Sequence, residues 1–179
     1  MYFIKVALLA SLLALVACDQ IEDDLNPSSE DLRPDVVAGS DGTAVGQLAL
    51  DFTLEDTLGN DLILSDEYPL NTATVLYFTM WCPVCDSHMS YMRQYMVAQY
   101  PDVEFLFIDY VTGTVSGSRQ TQISNGYTDF TVLVDTTNAI QNIYNATMGT
   151  VVVIDSSGII TMNEDFKDAV KLSNVLSIM

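Results

Sequence analysis

Apolar and polar positions fall into three textures along the chain. Val6 to Ala17 is an almost unbroken apolar run, and Asp19 to Thr43 has no sustained apolar period. From Val45 onward, strand-like and helix-like patterns alternate. Asp51-Phe52-Thr53-Leu54 and Asp61-Leu62-Ile63-Leu64 alternate around Leu58-Gly59-Asn60, which predicts a hairpin. Ala73 to Thr79 is nearly all apolar, as expected of a strand buried on both faces. Pro83 to Gln99 has helical spacing and stops before Pro101, and Val103 to Asp109 is a second buried strand. Ser116 to Ser124 predicts a polar helix closed by Asn125-Gly126, then a short strand at Thr131 to Val134 and a short helix at Ala139 to Tyr144. Thr150 to Ile154 and Ile159 to Met162 flank the turn Asp155-Ser156-Ser157-Gly158, and Asp168 to Ile178 closes the chain as a helix. The sum is an α/β fold, a central mixed β-sheet flanked by helices with an N-terminal β-hairpin. No internal repeat is visible.

The N-terminal run is about twelve residues, short of the roughly 20 that span a bilayer but the right length for a signal-peptide core. It ends in Leu15-Val16-Ala17-Cys18, which resembles the lipobox of bacterial lipoproteins. That resemblance implies cleavage before Cys18, a diacylglycerol on its sulfur and an acyl group on its amine. Several chains at about 0.8 kcal/mol per buried methylene make a durable anchor. By the same resemblance, Asp19 favours retention in the inner membrane. An uncleaved anchor and an ordinary secretory signal are the alternatives. The expected organisation is a signal peptide over 1–17, lipidated Cys18 with an acidic flexible linker over 18–43, and one domain over 44–179. Such a linker would reach on the order of 25–30 Å.

Charge narrows the partners. The chain of 179 residues carries 24 Asp and Glu against six Lys and Arg, a formal charge of −18. A surface this acidic repels phosphate backbones, so no nucleic-acid partner is expected. Anionic headgroups repel it too, so membrane residence needs the lipid anchor at Cys18. The excess acid itself reads as a solubility device.

The candidate chemistry lies in Trp81-Cys82-Pro83-Val84-Cys85, where a buried strand gives way to a helix. Cys82 at the helix start would face unpaired N–H groups and the positive dipole end, which favour a thiolate. Pro83 suits the first helical position, and Cys85 lies one turn on along the same face. Cys82 therefore reads as the exposed nucleophile and Cys85 as the resolving thiol. Structural zinc needs about four ligands, more than the two Cys and one His of this domain provide. A c-type haem site needs His directly after the second Cys, where Asp86 stands. A purely structural disulfide is the remaining alternative.

Tyr77-Phe78-Thr79-Met80-Trp81-Cys82-Pro83-Val84-Cys85 resembles the active site of the thioredoxin superfamily, and most closely the TlpA-like reductases and the related redoxin (AhpC-TSA-related) group. Gly46 to Leu54 resembles their opening segment, and Thr131 to Asp135 and Val153 to Ile160 their later strands. The resemblance implies a thioredoxin-like fold and an extracytoplasmic thiol–disulfide oxidoreductase acting on exported proteins, often in cytochrome c maturation. It also implies an upstream membrane electron donor and no cofactor or metal, and a monomer is expected. Substrate contacts are expected at Trp81 and Pro83, and at Met148, Gly149 and Thr150, where the family carries a cis-proline. That proline is absent here, and Gly149 stands in its place. A cis bond without Pro costs about 3–4 kcal/mol, so a trans or rearranged loop is expected. Leu76 stands where thioredoxins bury an acid, and His88 stands where TlpA-like proteins often have Glu.

His88, the only histidine, shares a helical face with Cys85. It reads equally as a proton acceptor for the resolving thiol and as a packing residue beside Val84, Tyr91 and Tyr95. Met89, Met92 and Met96 have core spacing, while Met80 and Met148 should border Cys82 and leave a Cu(I)-carrier reading open. A thiol peroxidase is the other alternative, since Thr79 lies three residues before Cys82 with Arg93 as the nearest arginine.

Overall fold

The computed structural model describes residues 35–179, so the signal-peptide segment, Cys18 and the linker up to Pro34 lie outside the described residues. The chain forms β1 (Asp41–Gly42), β2 (Leu48–Ala49), β3 (Thr53–Asp56), β4 (Asp61–Ile63) and a four-residue α1 (Leu64–Glu67). A 3₁₀ turn over Tyr68–Leu70 leads into β5 (Ala73–Thr79), followed by α2 (Pro83–Tyr91) and β6 (Val103–Asp109). Then come α3 (Val115–Ser124), β7 (Thr131–Val134), α4 (Ala139–Ile143), β8 (Thr150–Asp155), β9 (Ile160–Asp165) and α5 (Ala169–Leu176). Seven strands make one mixed sheet in the order β4-β3-β7-β6-β5-β8-β9. The centre, β5, β6 and β7, is parallel, and antiparallel hairpins close both edges. The expected α/β architecture and N-terminal hairpin are both present.

All seven residues of β5 are buried, and alternation along the strand divides them between two cores. Tyr77, Val75 and Ala73 face Met89, Met92, Met96, Phe105, Phe107 and Leu172. Leu76 and Phe78 face the opposite side, against Phe52, Leu64, Ile140 and Tyr144. The methionine stripe is thus core, as its spacing predicted, and truncating one such side chain to Ala typically costs about 2–5 kcal/mol.

The helix read as Pro83 to Gln99 is regular only to Tyr91, because Met92–Met96 widens into a π-turn with Val97 N–H reaching the Met92 carbonyl at 3.0 Å. Leu64, read as strand, instead opens α1, where it is fully buried. The folded unit also starts earlier than residue 44. Asp41 and Gly42 pair with Leu48 and Ala49, the Gln47 carboxamide binds Ser40 Oγ and Ala44 N–H, and Asn163 donates to the Thr43 carbonyl at 2.8 Å. Those backbone groups have partners inside the domain, so the segment after Val36 is not linker. Among the described residues, no helix is long and apolar enough to cross a membrane.

Candidate active site

The candidate residues gather where β5 and β6 end, the edge at which open α/β sheets present their ligand sites. Cys82 is the N-cap of α2, in extended conformation, and its Sγ accepts the Cys85 N–H at 3.2 Å. Pro83 follows at the first helical position and is exposed. Cys82 is partly exposed, Cys85 is buried, and their sulfurs lie 2.9 Å apart as free thiols. Partial burial acts to raise the Cys82 thiol, but hydrogen bonds from the Cys85 thiol and the backbone around Val84 and Cys85 outweigh it. Cys82 is left more acidic than an ordinary thiol. Burial, and then the proton it shares with Cys82, push the Cys85 thiol up. The pair is therefore unequal: one sulfur ionises readily at the surface, and the other holds its proton inside.

Trp81 has a left-handed backbone, φ 58°, which costs a non-glycine residue roughly 1–2 kcal/mol. Its N–H reaches Thr79 Oγ1 at 3.2 Å, and its indole N–H donates to Asp109 Oδ2 at 2.7 Å. Asp109, fully buried at the end of β6, also accepts the Val111 and Thr112 N–H groups through Oδ1, each at 3.1 Å. One carboxylate thus fixes both the indole and the turn after β6. Sequence reasoning missed it, because Trp81 and Asp109 lie 28 residues apart and only the β5–β6 pairing brings them together.

His88 sits half-buried, its Nδ1 2.9 Å from the Tyr77 hydroxyl and its ring 4.5 Å from that of Phe166. Burial holds the imidazole below its usual range. Val84, Tyr91 and Tyr95 are exposed, so the packing partners of His88 are Tyr77 and Phe166 rather than its own helical face.

At the place of the missing proline, Gly149 has φ +85° and, among the described residues, no peptide bond is cis. The loop is trans, as the absence of Pro implied, and Gly149 takes a left-handed conformation there. Gly149 N–H bonds the Phe78 carbonyl at 3.0 Å, and its own carbonyl accepts the Phe166 N–H at 2.7 Å. Thr150 is buried, its Oγ1 tied to the Thr147 N–H and Asp165, so it braces the loop from within. Met148 is half-buried and Met80 exposed. Arg93 lies 4.2 Å over the Tyr127 ring, and its Nη2 donates to the Gly126 carbonyl and Asp129. The structure therefore groups Trp81, Cys82, Cys85, His88 and Gly149 around Tyr77 and Asp109, and holds Thr150 and Arg93 in other contacts.

No curated protein matches the sequence. Among solved structures, the chain is similar to a thioredoxin-like protein from Aeropyrum pernix, with 16% identity over 72% of this chain and 89% of that one and a TM-score of 0.60. It is also similar to a secreted Mycobacterium tuberculosis disulfide oxidoreductase homologous to E. coli DsbE, with 24% identity over 72% and 96% and a TM-score of 0.57. A third likeness is to DsbF of Mycobacterium tuberculosis, with 21% identity over 71% and 93% and a TM-score of 0.59. These likenesses establish the thioredoxin-like fold. Residues 45–163, well over half of the chain, match the AhpC/TSA family. With that match and its fold, the chain belongs to the AhpC/TSA family as an oxidoreductase of thioredoxin type.

Proposed function

We propose that this protein exchanges thiols and disulfides with exported proteins outside the cytoplasmic membrane, held there by lipid on Cys18. The Cys82 thiolate attacks one sulfur of a partner's disulfide. That S–S bond breaks, the partner's other sulfur leaves as a thiolate, and a mixed disulfide remains on Cys82. Cys85, as its thiolate, then attacks Cys82 Sγ and expels the partner's remaining sulfur. Two electrons have passed to the partner, and a Cys82–Cys85 disulfide awaits reduction by a membrane donor. Run backwards, the same steps oxidise the partner, and the reduction potential sets the direction. Trp81, Pro83 and Met148 form the surface the partner meets, with Gly149 and Thr150 shaping the loop beside it. Assembly of c-type cytochromes is one setting that supplies such substrates.

The observation that carries this reading is the sulfur pair at the start of α2, 2.9 Å apart and shifted in opposite directions. Insulin reduction tests it: Cys82→Ser should abolish turnover, and Cys85→Ser should accumulate mixed disulfides with envelope proteins. Turnover that survives Cys82→Ser sinks the proposal. Cys18→Ser should move the protein from the membrane fraction to the soluble fraction. The family match and Thr79 favour a second reading, thiol peroxidase. With Arg93 bound to Gly126 and Asp129, Cys82-dependent peroxide consumption should be slow beside insulin reduction.

A further inference from the structure

Trp81 before Cys82 and Asp86 after Cys85 flank the two thiols, and both meet one side chain from a distant part of the chain. Tyr127, buried in the turn after α3, places its ring 6.5 Å from the Trp81 ring. Its hydroxyl lies 2.6 Å from Asp86 Oδ1, 3.0 Å from the Asp86 carbonyl and 2.9 Å from Ser90 Oγ. A phenol has one proton to give, and its shortest contact is with a carboxylate, the strongest acceptor of the three. Tyr127 therefore donates to Asp86 and accepts from the Ser90 hydroxyl. Building on the exchange proposed for Cys82 and Cys85, we infer that Tyr127 is a positioning residue for it, binding the Asp86 carboxylate so that its negative charge opposes the Cys82 thiolate less.

Asp86 stands four residues after Cys82, and its N–H closes on the Cys82 carbonyl at 2.9 Å. Residues at that spacing are neighbours on a helix, and like charges there oppose each other. An acid in the first turn suits the helix dipole but not a thiolate at the N-cap. The hydrogen bond from the phenol offsets part of that charge and holds the carboxylate toward Tyr127. Among the described residues, the salt bridges are Arg93–Asp129 and Lys171–Glu164, so no base neutralises Asp86 in its place. Tyr127 is itself fixed from outside α2. Its N–H bonds the Gln122 carbonyl and its own carbonyl accepts the Gln122 side-chain amide, each at 3.0 Å. Its ring lies parallel to that of Phe130 at 5.8 Å and 4.2 Å from the Arg93 guanidinium. Burial, and then the bond to Asp86, push the phenol up, so Tyr127 stays a donor while Cys82 titrates. The other titratable groups around the turn are Cys85 and His88 on α2, Tyr77 from β5, and Asp109 and Tyr110 where β6 ends. Burial keeps Cys85, Tyr77 and Tyr110 protonated and His88 neutral near pH 7, and Asp109 is tied to Trp81.

The acid dissociation constant of Cys82 is read from the pH dependence of iodoacetamide reaction with the reduced protein, taking the part that Cys82→Ser removes. Asp86→Asn, which keeps an acceptor and loses the charge, should raise that constant about twofold. Tyr127→Phe, which keeps the ring and loses the hydroxyl, should lower it about twofold. The Cys82–Cys85 disulfide carries no charge, so the equilibrium with glutathione, measured where Cys82 is ionised, should move in step. It should shift toward the dithiol in Asp86→Asn and toward the disulfide in Tyr127→Phe. A merely structural role would move both variants the same way. In the Asp86→Asn background, Tyr127→Phe should leave the constant unchanged, because the charge it offsets is gone. An unchanged constant in Tyr127→Phe, shifts of one sign in both single variants, or a Tyr127→Phe effect that survives Asp86→Asn overturns the inference. Should Tyr127→Phe fail to fold, Asp86→Glu, at an exposed position, keeps the charge but carries it one methylene past its seat on the phenol. It should lower the constant too, and an unchanged constant there overturns the inference equally. All of this is measured without a partner protein, so insulin turnover that survives Cys82→Ser overturns the exchange reading and leaves the result on Cys82 ionisation standing.

Discussion

The neighbouring parallel strands β6 and β7 each finish on a buried aspartate, and the two carboxylates do different jobs. Asp135, just past β7, accepts the Ala139 N–H through Oδ1 at 3.0 Å and the Gln141 N–H through Oδ2 at 2.8 Å. It starts α4 by satisfying donors that a helix leaves unpaired. Asp109, at the end of β6, spends Oδ1 on the turn over Val111 and Thr112 in the same way, but Oδ2 takes the Trp81 indole. The strand ends are stitched together by the Asp135 N–H on the Asp109 carbonyl at 2.9 Å. One device, a carboxylate capping backbone N–H groups at a strand end, builds fold at β7. At β6 it builds fold and also sets the residue beside Cys82.

Asp109→Ala should have the largest effect, since three donors lose their acceptor inside the protein. A loss of about 4 kcal/mol in denaturant unfolding is expected, with a change of about threefold or more in the rate of Cys82 alkylation. Asp135→Ala should cost about 3 kcal/mol and leave the alkylation rate within about twofold. Equal shifts in Cys82 reactivity from the two variants would break the division of labour. Trp81→Phe should cost about 1 kcal/mol through the unpaired Asp109 oxygen and move alkylation in the same direction as Asp109→Ala. Asn138→Gly is the smallest case. Asn138 sits at φ 58° directly before α4, so glycine there should change stability by about 0.5 kcal/mol and leave the thiols untouched.

Much of this was legible in the sequence, and each miss has its own physical cause. The apolar run of β5, the Pro after Cys82 and the Gly-bearing turns are local signals, and each marked its element. That the loop without Pro is not cis was legible too, while the left-handed geometry of Gly149 was not. Asp109 was not, because its partner is distant in sequence and a strand-ending Asp looks the same whether it caps a turn or holds an indole. Tyr77 was hidden in another way. Inside a run of buried apolar residues a tyrosine reads as packing, and only the packing of α2 on that face shows where its hydroxyl points. Attention falls on Leu76 as the site of a missing acid, yet Leu76 packs against Phe52, Leu64 and Ile140 on the other side of the sheet. The linker boundary was misread because the Gln47 side chain, not an apolar pattern, ties Ser40 and Ala44 to the domain.

Trp81 is the only tryptophan in the chain; it directly precedes the reactive Cys82, and its indole is bonded to a buried carboxylate. The chain's tryptophan emission therefore arises from a single place, one residue before Cys82 and hydrogen-bonded to Asp109. That emission should report on this one corner of the molecule without any attached dye.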